Sequence, residues 1–153
     1  MAYEISICII EWERSKHLSL LLDSIISQID DEIRDSVEIC ISDDASTENI
    51  KEIVSIYKTK HPHITYFRFE KNMGFDCNHL KVIEISNAPF CWTFGNDDIM
   101  LDGALKYMLK EIKENPDIDI FVGDALIYAD SSETMFKKTR NIRKPVKDFV
   151  FES

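Results

Sequence analysis

The chain has 153 residues, of which 44% are hydrophobic, and its formal net charge is −10. This length and composition can bury one substantial core, and the acidic balance argues against general binding of nucleic acid. No apolar run reaches the roughly 18 residues that cross a membrane. The amino end enters a strand pattern without a basic leader, so we expect no secretion signal.

The four cysteines, at positions 8, 40, 77 and 91, lack the close spacing of a metal-binding cluster. Most of them lie in or beside apolar runs, where a free thiol behaves as a small hydrophobic group. Free thiols fit a reducing compartment. We therefore expect a cytoplasmic protein.

Apolar runs of strand length recur along the chain and are separated by segments of helix length. They occupy residues 5–10, 37–42, 64–69, 90–94, 118–122 and 125–129. The first, second and fourth runs are apolar almost throughout, which is typical of strands buried on both faces. We expect the fourth run to form the central strand of the sheet.

Helical spacing of apolar side chains predicts four helices between these strands. Their apolar positions are Leu18, Leu21, Leu22, Ile25, Ile26 and Ile29; Ile50, Ile53, Val54 and Tyr57; Leu80, Val82 and Ile83 within a helix at 77–86; and Leu105, Met108, Leu109 and Ile112. Ser15 is available to cap the first helix. The alternation of strands and helices specifies a Rossmann-like α/β fold, with a mostly parallel sheet and helices on both faces.

Polar residues follow each of the first four strands, at the edge where parallel strands end and α/β sheets bind their ligands. They are Glu11, Glu13, Arg14, Asp43, Asp44, Ser46, Asn72, Gly74, Asn96, Asp97 and Asp98. Carboxylates and amides suit ribose hydroxyls, base N–H groups and a divalent cation. Because no glycine-rich phosphate-binding motif is present, a diphosphate bound here would need Mg²⁺ or Mn²⁺. Residues 95–98, Gly-Asn-Asp-Asp, are equally typical of a solvated turn.

Four stretches together resemble the family 2 glycosyltransferases in order and spacing. They are 5–9 (Ile-Ser-Ile-Cys-Ile), 43–46 (Asp-Asp-Ala-Ser), 72–75 (Asn-Met-Gly-Phe) and 92–99 (Trp-Thr-Phe-Gly-Asn-Asp-Asp-Ile). The resemblance is nearest to bacterial polysaccharide and lipopolysaccharide sugar transferases. It implies the nucleotide-sugar-binding half of a GT-A fold, a nucleotide-diphosphate sugar with UDP-sugar as first choice, and a glycan or lipid-linked acceptor.

The resemblance also implies roles for single residues. Asp44 matches the carboxylate that reads the base, and Asp97, with Asp98 as second choice, matches the metal ligand. The full nucleotide-sugar-binding set is Glu11, Asp43, Asp44, Asn72, Gly74, Asn78, Asn96 and Asp97, and the metal set is Asp97 and Asp98. No residue is assigned as the catalytic base.

The chain departs from the family pattern at several positions. Glu11 and Glu13 fall where the family usually has Pro-Thr-Tyr-Asn, and Cys77 stands where an arginine is common. Family members also usually continue further. We therefore expect residues 1–130 to be the nucleotide-sugar-binding domain and residues 131–153 to be a basic segment that starts a missing acceptor region.

Three alternatives stay open on the sequence. The departures favour a truncated or degenerate domain that at most binds nucleotide sugar or a partner. A receiver domain and a nucleotidyltransferase fit less well, because the acidic pair follows the second strand and the first loop is acidic. In addition, the basic residues between 137 and 147 suit either a solvated tail or contact with anionic lipid at the inner face of the membrane.

Overall fold

The computed structural model describes residues 3–123, 127–128 and 135–136. The chain forms two compact units that divide after Glu114. Strands and helices alternate in the first unit, which confirms the α/β class. The elements are β1 (Ile5–Glu11), α1 (Ser15–Ile26), a 3₁₀ turn (Arg34–Ser36), β2 (Val37–Asp43), α2 (Ile50–Lys60), β3 (Ile64–Arg68), α3 (Phe75–Glu84), β4 (Phe90–Gly95) and α4 (Ala104–Glu114).

The four strands form one parallel sheet in the order β3-β2-β1-β4. Near its centre, Ile7 of β1 lies opposite Ile39 of β2 on one side and Trp92 of β4 on the other. The chain runs outward from β1 to β3 and then returns past β1 to add β4. This reversal makes the carboxyl ends of β1 and β4 the point where an α/β sheet binds ligands.

One face of the sheet carries the larger core. Ile5, Ile7 and Ile9 of β1 share this face, as the two-residue period of a strand requires. They belong to one cluster with buried residues of α1, α2 and α4, namely Leu18, Leu21, Leu22, Ile25, Ile50, Val54, Tyr57, Leu105 and Leu109. Each large aliphatic side chain buried there contributes roughly 1.5–3 kcal/mol, so this cluster is the main source of stability in the unit.

The opposite face of the sheet is covered by α3. Cys8 and Cys40 pack there against Val82, with Ile10 and Ile85 beside them. Both thiols are free and buried. Burial raises the pKa of each thiol, that of Cys40 to about 12, so both stay neutral and act as small hydrophobic groups. Helices therefore lie on both faces of the sheet, as predicted.

The inward face of α3 differs from the prediction. We expected Leu80 and Ile83 to face the core, but both are exposed, Leu80 by 68%. The buried residues are Asn78 and Val82. They are four residues apart and therefore lie on one side of the helix. The apolar spacing was misleading because a polar residue, Asn78, occupies part of the buried stripe.

The prediction that 90–94 forms a central, fully buried strand is wrong. β4 lies at the edge of the four-stranded sheet, and its residues alternate between partly buried and exposed. Trp92 and Phe94 pack against the main core, whereas Cys91 and Thr93 are exposed. The aromatic residues of β4 thus fill one face of an edge strand.

The first helix also begins and ends differently from the prediction. Ser15 is its first residue, and the capping position belongs to Arg14, whose side chain makes no capping hydrogen bond. The Ser15 amide instead donates to Glu48 Oε2 at 2.8 Å. This carboxylate satisfies one of the free N–H groups at the helix start. The helix ends at Ile26, and Ile29 packs against the core from the following loop.

The second unit contains no strand at residues 118–122, so that prediction is wrong. Ile120 and Val122 are exposed, and an apolar run with no buried face has nothing to hold it in a sheet. Ile127–Tyr128 forms β5, inside the predicted sixth strand, and pairs antiparallel with Met135–Phe136, which is β6. The basic run at 137–147 lies outside the described residues, and the domain boundary at 130 stays a prediction. Within the part of the chain that is described, no helix is long and apolar enough to span a bilayer.

Candidate functional site

A cavity of about 660 Å³ opens at the carboxyl ends of β1 and β4. Its walls come from the loops after all four parallel strands and from the start of α3. The lining residues are Ile10, Glu11, Trp12, Arg14, Asp44, Asn72, Gly74, Phe75, Asn78, His79, Thr93, Phe94, Gly95, Asn96 and Asp97. The cavity thus gathers every residue of the predicted nucleotide-sugar-binding set except Asp43, while Asp98 of the metal set lies outside its lining.

Asp44 ties the end of β2 to the loop before α3. Its carboxylate is almost fully buried and accepts hydrogen bonds from the amides of Met73 at 2.6 Å and Gly74 at 2.9 Å. The Gly74 amide also donates to Asn72 Oδ1 at 3.1 Å. Gly74 has a φ of +86°, a conformation that glycine adopts without strain. These contacts fix the wall of the cavity that carries Asn72 and Gly74.

Asp43 has a structural role outside the cavity. Its carboxylate is fully buried and accepts from the Ser46 amide at 2.9 Å and from the Tyr66 hydroxyl at 2.6 Å. The Arg68 guanidinium lies 3.5 Å away and supplies a balancing charge. Burial and the nearby carboxylate raise the pKa of Tyr66, which keeps its hydroxyl protonated and able to donate. All contacts of Asp43 therefore hold the β2–α2 loop against β3.

Glu11 is a buried carboxyl group at the end of β1. Its Oε1 accepts from the Arg14 amide at 3.0 Å, and its Oε2 has no hydrogen-bond partner. Burial raises the pKa of Glu11 to about 7, against the opposing effects of the Arg14 amide and the nearby Asn96 amide group. The Nδ2 of Asn96 donates to the backbone oxygen of Trp12 at 3.3 Å and makes no hydrogen bond to Glu11 Oε2. Glu11 thus exchanges a proton near neutral pH at the base of the cavity.

Asn78 joins α3 to the same strand end. Its Nδ2 donates to the backbone oxygen of Glu11 at 3.1 Å, and its buried Oδ1 has no partner. The same Glu11 oxygen also accepts from the Asp44 amide at 2.9 Å. One backbone carbonyl therefore links β1, β2 and α3 directly below the cavity, and an unused acceptor is left beside it.

Asp97 and Asp98 follow β4 and differ in their contacts. Asp98 Oδ2 accepts from the Gly95 amide at 2.8 Å, which closes the turn. Asp97 is half exposed and forms an ion pair with Arg14. A side chain at Gly95 would bring its Cβ within 3.0 Å of Asp97 Oδ1 and 3.4 Å of Asp98 Oδ2. One oxygen of each carboxylate thus lies close to the Cα of Gly95.

This pair of converging carboxylates fits a magnesium or manganese ion. Such ions are bound by one or two carboxylates, and phosphate oxygens and water complete the shell. No group of three or more His, Cys, Asp or Glu side chains suitable for a metal is present among the described residues. A metal at Asp97 and Asp98 would therefore take its remaining ligands from the substrate.

The prediction of site residues from sequence missed several lining side chains. Trp12 and Phe75 line the cavity with rings that are 56% and 68% exposed, and Phe75 packs against His79 at 5.7 Å between ring centroids. Arg14 was noted among the polar residues after β1 but was given no role, and it is the one lysine or arginine among the described lining residues. Their signal in the sequence was position: Trp12 and Arg14 follow β1, and Phe75 begins α3.

Known proteins are similar to this chain in sequence and in architecture. The profile of glycosyl transferase family 2 matches residues 6–151. The abequosyltransferase RfbV of Salmonella typhimurium is 34% identical over 115 residues, which make up 74% of this chain and 34% of RfbV.

Two solved structures share the fold. TarS of S. aureus (residues 1–349) superposes with a TM-score of 0.68 at 23% identity, over 74% of this chain and 33% of that one. The mannosyltransferase PcManGT of Pyrobaculum calidifontis, solved with GDP-Man and Mn²⁺, gives a TM-score of 0.62 at 17% identity, over 75% of this chain and 33% of its own.

At these identities the two solved structures establish the fold alone. The chain spans about a third of the length of RfbV, of residues 1–349 of TarS and of PcManGT. Membership rests on the profile, which covers nearly the whole chain, and on the relation to RfbV. This protein belongs to glycosyl transferase family 2.

Proposed function

We propose that this chain binds a nucleoside diphosphate sugar with Mg²⁺ or Mn²⁺ and transfers the sugar to a hydroxyl group of an envelope glycan or a lipid-linked acceptor. The observation that carries the proposal is the meeting of Asp44, Asn96 and Asp97 around one cavity. They belong to loops after two different strands, and they meet at the edge of the sheet where α/β proteins bind ligands. In a family 2 chain this is the arrangement expected of a donor site.

The base and ribose have suitable partners on the cavity wall. Trp12 and Phe75 present exposed aromatic rings, which suit stacking on a planar base. Asp44 accepts one amide on each oxygen and keeps free lone pairs for an N–H of the base. Asn96 lines the cavity directly after β4, and its amide group is the proposed partner of a ribose hydroxyl.

Asp97 and Asp98 are the proposed metal ligands. A bound divalent ion would offset the negative charge that develops on the departing nucleoside diphosphate. The side chains of this chain orient the donor: the loop anchored by Asp44 holds one wall, and the Gly95 turn holds the two carboxylates. Transfer also needs a base within hydrogen-bond reach of the acceptor hydroxyl, and we assign none.

The relatives and the sequence support a first choice of donor and of cellular location. TarS has been solved with UDP-GlcNAc and PcManGT with GDP-Man, so uridine and guanosine diphosphate sugars are the first donors to test. We take UDP-sugar as the first choice. We also propose a cytoplasmic location at the inner face of the membrane, where residues 137–147 would meet anionic lipid.

A second candidate is a domain that binds nucleotide sugar without transferring it. It is favoured by the contacts of the acidic residues, since Asp43 and Asp98 accept internal hydrogen bonds and Asp97 is paired with Arg14. The two candidates separate in a transfer assay. The enzyme is supported if the chain binds a donor and releases nucleoside diphosphate when acceptor glycans are added. The second candidate is supported if the chain binds the donor but releases no nucleoside diphosphate under the same conditions.

The donor site is tested by thermal shift with UDP, CDP, GDP and ADP, each with Mn²⁺ and with EDTA. We expect one base class to stabilise the protein in a Mn²⁺-dependent way, and Asp97→Ala to abolish this shift. Asp102→Ala is the matched control, because Asp102 is an exposed carboxylate of the same loop that does not line the cavity. Absence of a shift with all four diphosphates, or a shift that survives in Asp97→Ala and EDTA, contradicts the proposal.

A further inference from the structure

The cavity holds an excess of negative charge that a diphosphate would increase. Three carboxyl groups line it, those of Glu11, Asp44 and Asp97. Among the described lining residues, Arg14 is the only lysine or arginine. A diphosphate in such a site must meet cationic groups, because like charges at close range repel strongly when they are partly removed from water. A divalent ion on Asp97 and Asp98 accounts for one cation, and Arg14 is the only fixed one that the described lining offers.

The backbone of Arg14 is held rigidly beside the cavity. Its amide donates to Glu11 Oε1 at 3.0 Å, and its carbonyl accepts from the Leu18 amide at 2.9 Å in the first turn of α1. The side chain is about half exposed and reaches across to Asp97, which is 83 residues later in the sequence. Arg14 thus joins the β1–α1 loop to the β4–α4 loop at the mouth of the cavity.

The guanidinium group of Arg14 has donors to spare. Only one of its nitrogens, Nη1, contacts Asp97, and a guanidinium has five N–H donors in a planar fork. This fork matches two phosphate oxygens at once. An ion pair between side chains as exposed as Arg14 and Asp97 contributes between about 0 and 1 kcal/mol, so breaking it costs little.

We propose that Arg14 is a diphosphate-binding residue that exchanges partners when the donor and metal bind. Its guanidinium turns from Asp97 to the phosphate oxygens, and the released Asp97 carboxylate accepts the divalent ion. Each charged group gives up one partner and gains a stronger one, because charge-assisted contacts to phosphate exceed those of an exposed ion pair. This inference rests on the proposed donor site and adds to it a residue and a cause for joint binding of metal and diphosphate.

The first experiment compares each nucleoside diphosphate with its nucleoside by calorimetry in Mn²⁺, using UDP and uridine, then GDP and guanosine. Arg14→Gln should weaken binding of the diphosphate by about tenfold or more, the usual size of a lost charge-assisted hydrogen bond, while binding of the nucleoside stays unchanged. Arg14→Lys should bind the diphosphate with an affinity between those of the original chain and Arg14→Gln, because lysine keeps the charge and lacks the planar fork of donors. The matched control is Arg34→Ala, which removes a partly exposed arginine paired with Asp31 outside the cavity.

The second experiment tests the exchange itself, in EDTA. Asp97→Asn releases Arg14 without supplying a metal, so metal-free UDP or GDP should bind more tightly than to the original chain. Adding Arg14→Gln to this variant should remove the gain. In the first experiment, a structural role for Arg14 would instead weaken the binding of nucleoside and of diphosphate equally, and that result overturns the inference.

The outcomes also separate this inference from the proposed function. Equal diphosphate affinity in Arg14→Gln and in the original chain overturns the role of Arg14 and leaves the donor site standing. No binding of any nucleoside diphosphate to the original chain in Mn²⁺ overturns both. A circular dichroism melt of each variant confirms that the fold is retained before affinities are compared.

Discussion

The ends of β2 and β4 each carry two adjacent aspartates, and the structure uses the two pairs differently. Asp43 and Asp44 are buried and accept five hydrogen bonds or ion contacts from their own chain between them. Asp97 and Asp98 are exposed; Asp97 pairs with Arg14, and the contacts of Asp98 with Gly95 close a turn. The β2 pair therefore fixes the loops around its strand end, with Asp44 at the cavity wall, whereas Asp97 of the β4 pair presents an exposed carboxylate to the cavity.

The difference follows from the position of the strands. β2 lies inside the sheet between β1 and β3, so groups at its end are surrounded by neighbouring loops and must find internal donors. β4 lies at the edge of the four-stranded sheet, and Asp97 and Asp98 in the loop after it are exposed. Identical residue types thus become a scaffold in one place and a candidate ligand set in the other. Four substitutions can break or sharpen this contrast.

The largest effect is expected from Asp43→Ala. It leaves the Ser46 amide, the Tyr66 hydroxyl and the Arg68 guanidinium without their acceptor. Loss of a buried, charged acceptor with several donors should lower the free energy of unfolding by about 3 kcal/mol or more. Urea unfolding measures this change. A loss below about 1 kcal/mol would show that the β2 pair is not the scaffold described here.

Glu11→Gln should have the next largest effect, and its sign depends on pH. The pKa of Glu11 is raised from its ordinary value of 4.5 to about 7 in the fold. Between these values folding takes up a proton, so the stability of the original chain falls as pH rises from about 4.5 to about 7 and is constant above that. Since one pKa unit is worth about 1.4 kcal/mol, up to about 3 kcal/mol is lost across this window.

The glutamine variant has no such proton to release, so its stability should stay flat where that of the original chain declines. The gap between the two should therefore be small at pH 5 and widest above pH 7, with Glu11→Gln the more stable. Glu32→Gln, at an exposed carboxylate, serves as the control. Parallel stability curves for Glu11→Gln and the original chain would contradict the burial of a titrating group at the end of β1.

The contrast between the two aspartate pairs shows which features of the site could be predicted from the sequence and which could not. Hydrophobic periodicity was enough to predict the four parallel strands, because their cores are almost wholly apolar. The rule that parallel strands end at one edge was enough to bring Asp44 and Asp97 together. Which carboxylate is buried and which is exposed could not be predicted, because that depends on strand order, and strand order is set by packing between distant segments.

The errors have the same origin. The residues 90–94 are as apolar as a central strand, yet β4 is an edge strand whose rings cover one face. The inward face of α3 is marked by a polar residue, Asn78, whose amide bonds to the backbone of Glu11 67 residues earlier. The partner of Arg14 is similarly distant in sequence. Local patterns contain no information on such pairs, and only the folded chain supplies it.

A smaller effect is expected from Asp98→Ala. The Gly95 amide loses an acceptor at 2.8 Å, but it lies in a turn that water can reach, so water replaces part of the lost hydrogen bond. The free energy of unfolding should fall by about 1 kcal/mol. Asp98→Asn keeps an acceptor oxygen and should recover most of this loss in urea unfolding. If the asparagine and alanine variants are equally destabilised, the turn does not depend on this hydrogen bond.

The smallest effect on stability is expected from Asp97→Ala. The variant loses an ion pair with Arg14 between half-exposed side chains, which is worth between about 0 and 1 kcal/mol. It also removes the repulsion between adjacent carboxylates, and this gain opposes the loss. We therefore expect the free energy of unfolding to change by less than about 0.5 kcal/mol, and Arg14→Gln to behave alike.

The contrast between the two aspartate pairs is tested most directly by comparing Asp97→Ala with Asp43→Ala. We expect a near-zero change in the free energy of unfolding for the first and a large decrease for the second. That result would mean that Asp97 stands at a strand end without stabilising the fold, although its charge is unfavourable next to Asp98. Cation binding is the proposed role of such a residue. A loss of 2 kcal/mol or more in Asp97→Ala would instead make its pairing with Arg14 a structural contact, and the two aspartate pairs would then do the same work.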